Sequence, residues 1–311
     1  MKTFTTTGHT RAQLRGYSIV PLLTPVTADG QLDEESVPRI INHIISGGCQ
    51  GLMVCGTTGE FASMSLAQRV RMVEIAGAAA RDRAVVFGGI GDTSPAHSVW
   101  LAGEYFAAGA AAVVANLPSY YPLTPGMMEA YFARLADQID GPVYLYNIPQ
   151  TTRQSIPLEV LDRLSHHPRI VGVKDSEPDG ARQEELCRQF AGRDDFAVFC
   201  GSIAFVSRAM RAGADGCVPG AGNFVPAVTR AMMDAMVGGD SDAIDAAQQK
   251  IDAINATYQK GRTISQLFGA LKAIMELHGL CGRHMFSPLL PASDAEVEQI
   301  QKALQELGLL P

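Results

Sequence analysis

Eight short apolar runs, each followed by an amphipathic stretch, constrain this chain more than any other feature of its sequence. The runs are Tyr17–Val26, Gly51–Gly56, Val85–Gly91, Ala111–Pro118, Pro142–Pro149, Ile170–Ser176, Phe196–Ser202 and Gly216–Gly222. They are apolar on consecutive positions rather than alternate ones, as strands covered on both faces of a parallel sheet are. The stretches between them carry helical periods: Glu34–Ser46, Ser65–Ala80, Pro95–Ala108, Thr124–Ile139, Pro157–Leu164, Gly180–Phe190 and Ser202–Ala212. Glu34–Ser46, for example, gathers Val37, Ile40, Ile41, Ile44 and Ile45 on one side. Start signals stand at Ser65 and at Thr124-Pro125, and glycines follow Ser46 and Ala108 where helices should stop. Strands alternating with helices of this length predict βαβ units with right-handed crossovers.

Eight such units predict a closed (β/α)8 TIM barrel rather than an open doubly wound sheet. The dinucleotide signature that the open sheet would carry is missing after the first run, Pro21-Leu22-Leu23-Thr24-Pro25, and Gly88, Gly89 and Gly91 do not supply it. The expected organisation is an N-terminal arm over 1–16, a barrel over 17–225 and a C-terminal helical extension over 226–311. That extension reads as helices Ala227–Met236, Ser241–Tyr258, Ser265–Leu277 and Asp294–Leu307. With 311 residues, 47% of them hydrophobic, the chain can fill one large core as a single barrel.

The net charge of −7, with no basic block, argues against nucleic acid or an anionic membrane as partner. Arg69, Arg71, Arg81 and Arg83 read as a solvated helix face. Cys49, Cys55, Cys187, Cys200, Cys217 and Cys281 form no C-x-x-C pair and sit mostly in apolar segments, which predicts free buried thiols in a reducing compartment. The residues after Met1 lack the apolar core of a signal peptide, and no run nears the ~18 apolar residues of a membrane span. The expectation is a cytoplasmic protein.

Chemistry in a barrel sits at the carboxyl ends of the strands. Those ends read Thr57-Thr58-Gly59-Glu60, Tyr120-Tyr121, Tyr146-Asn147-Ile148-Pro149, Lys174-Asp175-Ser176 and Gly201-Ser202. Lys174 closes the run Ile170-Val171-Gly172-Val173-Lys174. Burying an unpaired ammonium is costly, so a lysine there points to function or to an ion pair. Asp175 is a poor partner, because neighbours on a strand point to opposite faces. A buried amine favours the neutral form that attacks a carbonyl. Tyr146, on the preceding strand, can reach the same mouth and relay protons, or can simply bond the backbone. Thr57-Thr58-Gly59-Glu60 offers amides and hydroxyls to a carboxylate, or is ordinary turn chemistry with Glu60 as a cap.

Gly56-Thr57-Thr58-Gly59-Glu60, Tyr146-Asn147-Ile148-Pro149 and Gly172-Val173-Lys174-Asp175-Ser176, as an ordered set, resemble the dihydrodipicolinate synthase/N-acetylneuraminate lyase family. The likeness runs from about Tyr17 to the C-terminal helices. It implies a barrel with a helical extension, often a homotetramer, that binds pyruvate or another 2-keto acid as an imine without a cofactor. By motif, Lys174 is the expected Schiff-base lysine, Tyr146 the proton relay, and Thr57 and Thr58 the carboxylate and hydroxyl-relay positions. Tyr121 resembles a tyrosine that the synthases receive from a neighbouring subunit, and Gly201 and Val218 resemble pocket-wall positions.

Two departures bear on the second substrate. Thr151 stands where the synthases carry an arginine, with Arg153 two residues late, and a hydroxyl does not replace a bidentate guanidinium. Sialic-acid lyases place an acidic pair soon after the seventh strand, where this chain has Ser202-Ile203-Ala204. Ser202, Thr151 and Thr152 could instead hold a shorter hydroxylated chain. The expected activity is a Schiff-base lyase or aldolase acting on pyruvate or a 2-keto-3-deoxy acid. The alternatives are 4-hydroxy-tetrahydrodipicolinate synthase, a 2-keto-3-deoxy sugar acid dehydratase, or a silent keto-acid-binding barrel. A metal-dependent aldolase would need clustered ligands. None of the seven histidines ends a strand run and no H-x-H or H-E-x-x-H occurs, so no metal is expected. A serine hydrolase would need a G-x-S-x-G elbow, which is missing too.

Overall fold

The computed structural model describes residues 11–310. Eight strands pair in parallel in chain order and close into a barrel. They are β1 (Tyr17–Pro21), β2 (Gly51–Val54), β3 (Val85–Gly89), β4 (Ala112–Asn116), β5 (Val143–Asn147), β6 (Ile170–Asp175), β7 (Ala197–Cys200) and β8 (Gly216–Cys217). Their two-fold alternation divides the core. Ile19, Met53, Phe87, Val114, Tyr144 and Phe199 point inward and fill the barrel, with Phe87 edge-on to both Tyr144 and Phe199. Val20, Leu52, Val86, Val113, Leu145 and Val198 point outward into the layer beneath the helices. Both faces are buried, which is why the runs lack polar alternation. Gly172 on β6 serves this packing, since a Cβ there would meet the Tyr144 ring at 2.4 Å.

Helix α1 (Arg11–Leu14) precedes β1. The ring of helices is then α2 (Ser36–Ser46), α3 (Leu66–Ala80), α4 (Pro95–Ala107), α5 (Pro125–Gln138), the short α6 (Pro149–Thr152), α7 (Leu158–Leu164), α8 (Gly180–Phe190), α9 (Val206–Arg211) and α10 (Pro226–Gly238). Beyond it lie α11 (Ser241–Gln259), α12 (Ile264–Leu277) and α13 (Asp294–Glu306). Ser65 and Gln68 form a reciprocal capping box, and Thr124 caps α5 ahead of Pro125, as their sequences predict.

Several boundaries move. The helix read as opening the C-terminal extension is α10, which packs between α9 and α2 and against β1. It is therefore the eighth ring helix, and the extension begins after Gly239. The eighth run keeps only two strand residues, because Pro219 has no N–H to give and Gly220–Asn223 turns into a 3-10 helix. The buried Asn223 amide completes the seam to β1, accepting from Leu23 N (3.0 Å) and donating to Pro21 O (2.9 Å). Of the arm expected over 1–16, residues 1–10 lie outside the described part, and Arg11–Leu14 is a docked helix. Leu14 joins the barrel interior, and buried Arg11 pairs with Asp215 at 2.8 Å. An apolar plug with one compensated charge holds these residues in place.

Arg69 departs from the solvated face assigned to it. It is 2% exposed, donates to Gly89 O at 3.0 Å, meets Asp92 at 3.3 Å and lies over the Phe61 ring. Arg71 is two residues on, roughly 200° around the helix, and stays in solvent with Glu34 and Glu74. Arg81 and Arg83 are exposed as expected. All six cysteines are free and buried.

Candidate active site

A cavity of about 220 Å³ opens at the carboxyl ends of the strands. Lys174 enters it from β6 and Tyr146 from β5, paired directly across the ladder. Lys174 is 7% exposed, and its Nζ lies 4.1 Å from the centre of the Tyr146 ring and 3.3 Å from Met53 Sδ. Below it is the apolar barrel interior of Ile19, Met53, Phe87, Tyr144 and Phe199, and above it the cavity. Gly201 permits this placement, because a Cβ there would stand 3.0 Å from Lys174 Cε and 2.1 Å from Ser176 Oγ.

Among the described residues Lys174 makes no ion pair. The neighbouring Asp175 faces outward, fully buried, where Arg182 (3.1 Å), Asn147 (3.1 Å) and Gln183 (3.0 Å) hold its carboxylate. Burial pushes the Asp175 carboxyl up, and Arg182 opposes that shift. This outward network has a consequence for the inward faces. Asn147 on β5 and Asp175 on β6 are ladder partners, as are Tyr146 and Lys174, so the polar latch outside fixes the lysine–tyrosine spacing inside.

Thr57 and Thr58 reach the cavity from the loop after β2. Their amides donate to no acceptor among the described residues, whereas the next two are tied down, Gly59 N to Gly56 O and Glu60 N to Thr57 O. The loop is clamped from outside. Thr24 Oγ1 donates to Gly59 O at 2.7 Å. Glu60, in the left-handed region at φ 58°, reaches Lys272 of α12 at 2.5 Å and accepts from Phe286 N at 2.9 Å. Both members of the pair are fully enclosed, and Lys272 also donates to His284 O at 2.7 Å. Burial raises the Glu60 carboxyl and lowers the Lys272 ammonium, each opposed by its partner. Glu60 is thus a counter-ion within the core rather than a helix cap.

Gly201, Ser202 and Val218 also line the cavity. Thr151 does not: its hydroxyl turns back to Ile148 O at 3.3 Å, and its neighbour Gln150 faces the cavity instead. Thr152 is buried with its hydroxyl on Ile148 O and Gln154 O, and Arg153 is exposed. Tyr121 is 71% exposed, stacked edge-on against Tyr120, and is not part of the cavity wall of its own chain. Sequence reasoning missed Ser176, Gln150 and a whole wall formed by the end of α11 and the start of α12. That wall holds Tyr258, Gln259, Ile264, Leu267, Phe268 and Leu271. Ile264, Leu267, Phe268 and Leu271 follow the i, i+3, i+4, i+7 rule of one helix face, a signal legible in the sequence but without a known neighbour. Among the described residues no group of three His, Cys, Asp or Glu is placed to hold a metal, and no helix is long and apolar enough to cross a membrane.

Closed barrel, appended helices and a lysine–tyrosine pair at the C-terminal mouth together define a barrel enzyme of the lyase and aldolase type. The sequence profile of the dihydrodipicolinate synthetase family matches residues 14–307, and the chain belongs to that family. It is 29% identical over 290 residues to a 4-hydroxy-tetrahydrodipicolinate synthase from Methanosarcina mazei, covering 93% of this chain and 97% of that one. It is 30% identical over 296 residues to a probable 2-dehydro-3-deoxy-D-pentonate aldolase from Escherichia coli, covering 94% and 97%. Among solved structures, dihydrodipicolinate synthase from Bacteroides thetaiotaomicron superposes with a TM-score of 0.88 at 30% identity, covering 93% and 98%. An Escherichia coli prophage protein of the same family, solved in complex with pyruvate, gives a TM-score of 0.88 at 27% identity, covering 94% and 98%.

Proposed function

We propose that this protein is a Schiff-base aldolase that cleaves or forms a 2-keto-4-hydroxy acid through an imine at Lys174. The observation that carries this reading is the Lys174 amine, buried without a counter-ion among the described residues, against Tyr146 at the floor of a cavity rimmed by Thr57 and Thr58. The two free threonine amides suit the carboxylate of the keto acid. Lys174 Nζ adds to the C2 carbonyl carbon, and the carbinolamine oxygen leaves as water after gaining a proton. The iminium then accepts the electron pair of the C3–C4 bond as the C4 hydroxyl loses its proton and an aldehyde departs. Reprotonation at C3 and hydrolysis return the amine and release pyruvate. Tyr146 and the Thr58 hydroxyl are the proposed carriers of these protons. The iminium is itself the electron sink, so the step calls for no cofactor or metal.

The synthase reaction is less well supported. Arg153 stays in solvent, and among the described residues the cavity wall holds no arginine for a second carboxylate. Tyr121 is proposed to complete the relay of a neighbouring copy in a cytoplasmic homo-oligomer, a dimer or tetramer, in keeping with its exposure here. The test is intact mass after incubation with pyruvate and borohydride, followed by peptide mapping. A reduced adduct on Lys174, lost in Lys174→Ala, is the expected result. No adduct with any keto acid would leave a silent keto-acid-binding barrel.

A further inference from the structure

Among the described residues, and tyrosines aside, Lys174 is the one ionisable side chain on the cavity wall. The wall divides in two. Close to the lysine it is polar: Ser176 Oγ and Lys174 Cε both crowd the position of a Gly201 Cβ, and Ser202 adjoins them. Away from it the wall is mostly apolar, with Tyr258 and Gln259 at the end of α11 as the polar side chains beside the α12 face. Ile203 and Ala204 follow β7, and Ile264, Leu267, Phe268 and Leu271 present one face of α12. This face is held in register by the enclosed Lys272–Glu60 pair, whose lysine adjoins Leu271 and whose glutamate ends the Thr57-Thr58-Gly59 loop.

We infer that the substrate's far half is uncharged and apolar, so that the enzyme joins pyruvate to, or releases, an aldehyde with a neutral aliphatic or aromatic body. This rests on the imine at Lys174 and adds the chemical class of the second reactant. The physical reason is desolvation. A carboxylate or phosphate carried into this half would leave water without meeting a cation, whereas a hydrocarbon chain gains by leaving it. The hydroxyl created by the aldol step lies next to the imine, where Ser176 and Ser202 stand, so the polar and apolar zones match a 2-keto-4-hydroxy acid with an apolar tail. A polyhydroxylated chain of sugar length fits poorly, because most of its outer hydroxyls would lie on the apolar α12 face, with only Tyr258 and Gln259 beside it to bond them.

The test is a competition for the lysine itself. The wild-type protein is incubated with equal concentrations of 2-oxohexanoate and 2-oxoadipate, six-carbon keto acids that differ in a terminal methyl or carboxylate. Borohydride then traps the imines, and the Lys174 peptide is quantified by mass. The expected result is at least about a tenfold excess of the 2-oxohexanoate adduct. An equal or greater yield from 2-oxoadipate, with Lys174 labelled, overturns the neutral far half and leaves the imine intact. No adduct on Lys174 from either acid, or from pyruvate alone, overturns the imine and the inference with it. A second arm uses Ala204→Arg, an exposed rim position where a guanidinium can be added without disturbing the core. In a folded variant the ratio should shift at least about tenfold toward 2-oxoadipate. An unchanged ratio there would overturn the placement of the substrate's tail against this wall.

Discussion

Replacing Lys272 with methionine isolates the energetics of the loop that carries Thr57 and Thr58. Methionine keeps most of the volume and removes the charge, leaving Glu60 enclosed with only the Phe286 amide for its carboxylate. Two routes to the cost agree. Breaking a buried ion pair by removing one partner is worth about 3–5 kcal/mol. Alternatively Glu60 takes up a proton, and at pH 7 this costs roughly 1.36 × (7 − 4.3), or about 3.7 kcal/mol, from the ordinary glutamate value. The second route fixes the pH dependence. With its folded-state pKa raised above the unfolded one, Glu60 favours the native state at low pH and loses that contribution as pH rises. The deficit should therefore shrink to about 1 kcal/mol at pH 5. Glu60→Gln/Lys272→Met together should recover much of the loss, since a neutral pair leaves no bare charge. Urea midpoints at pH 5 and pH 7, with the slope checked for constancy, measure all of this. A Lys272→Met variant within about 1 kcal/mol of wild type at pH 7, or a deficit independent of pH, would refute the reasoning.

Three other outcomes follow from the structure. Tyr146→Phe should lower turnover by about 10²–10⁴-fold in steady-state assays while borohydride still traps a keto acid on Lys174. Arg11→Ala should cost about 3–5 kcal/mol in urea denaturation, because buried Asp215 loses its counter-ion. The six thiols should resist a disulfide reagent at pH 8 in the native protein and all react in denaturant, since burial pushes Cys55 and Cys281 up to about 11 and Cys187 to about 12.

The barrel was legible because its signal repeats eight times and each repeat needs only local pattern. Lys174 was legible for a related reason: an ammonium near the end of a doubly buried strand has few structural explanations, whereas Tyr146 alone read equally as a backbone-bonding tyrosine and was singled out by its motif. What escaped depended on partners remote in the chain. Arg69 and Arg71 look alike in sequence, and only the Gly89 carbonyl and Asp92 waiting beneath one of them separate their fates. Lys272 sits within Gly269–Met275, a lone charge in an apolar helix face, and Glu60 was a possible cap; nothing local joins them. Pro226–Gly238 has the same helical pattern as the appendage that follows it, so the ring's end shows only in contacts with α2 and β1. Thr151 and Gln150 are adjacent on one short turn, and the direction each faces is set by where Pro149 starts that turn.

The pairing of Glu60 with Lys272 also sets an order of events during synthesis. Glu60 and the Phe286 amide that completes its shell are 226 positions apart, and Lys272 lies just short of that distance. A nascent chain can emerge with all eight strands and the ring of helices while the carboxylate at its second loop still has no cation. The same late segment brings the α12 wall of the cavity. Until that segment arrives the Glu60 carboxylate stands in water and the pocket lacks a wall, so closure of the rim and completion of the pocket are a single late event.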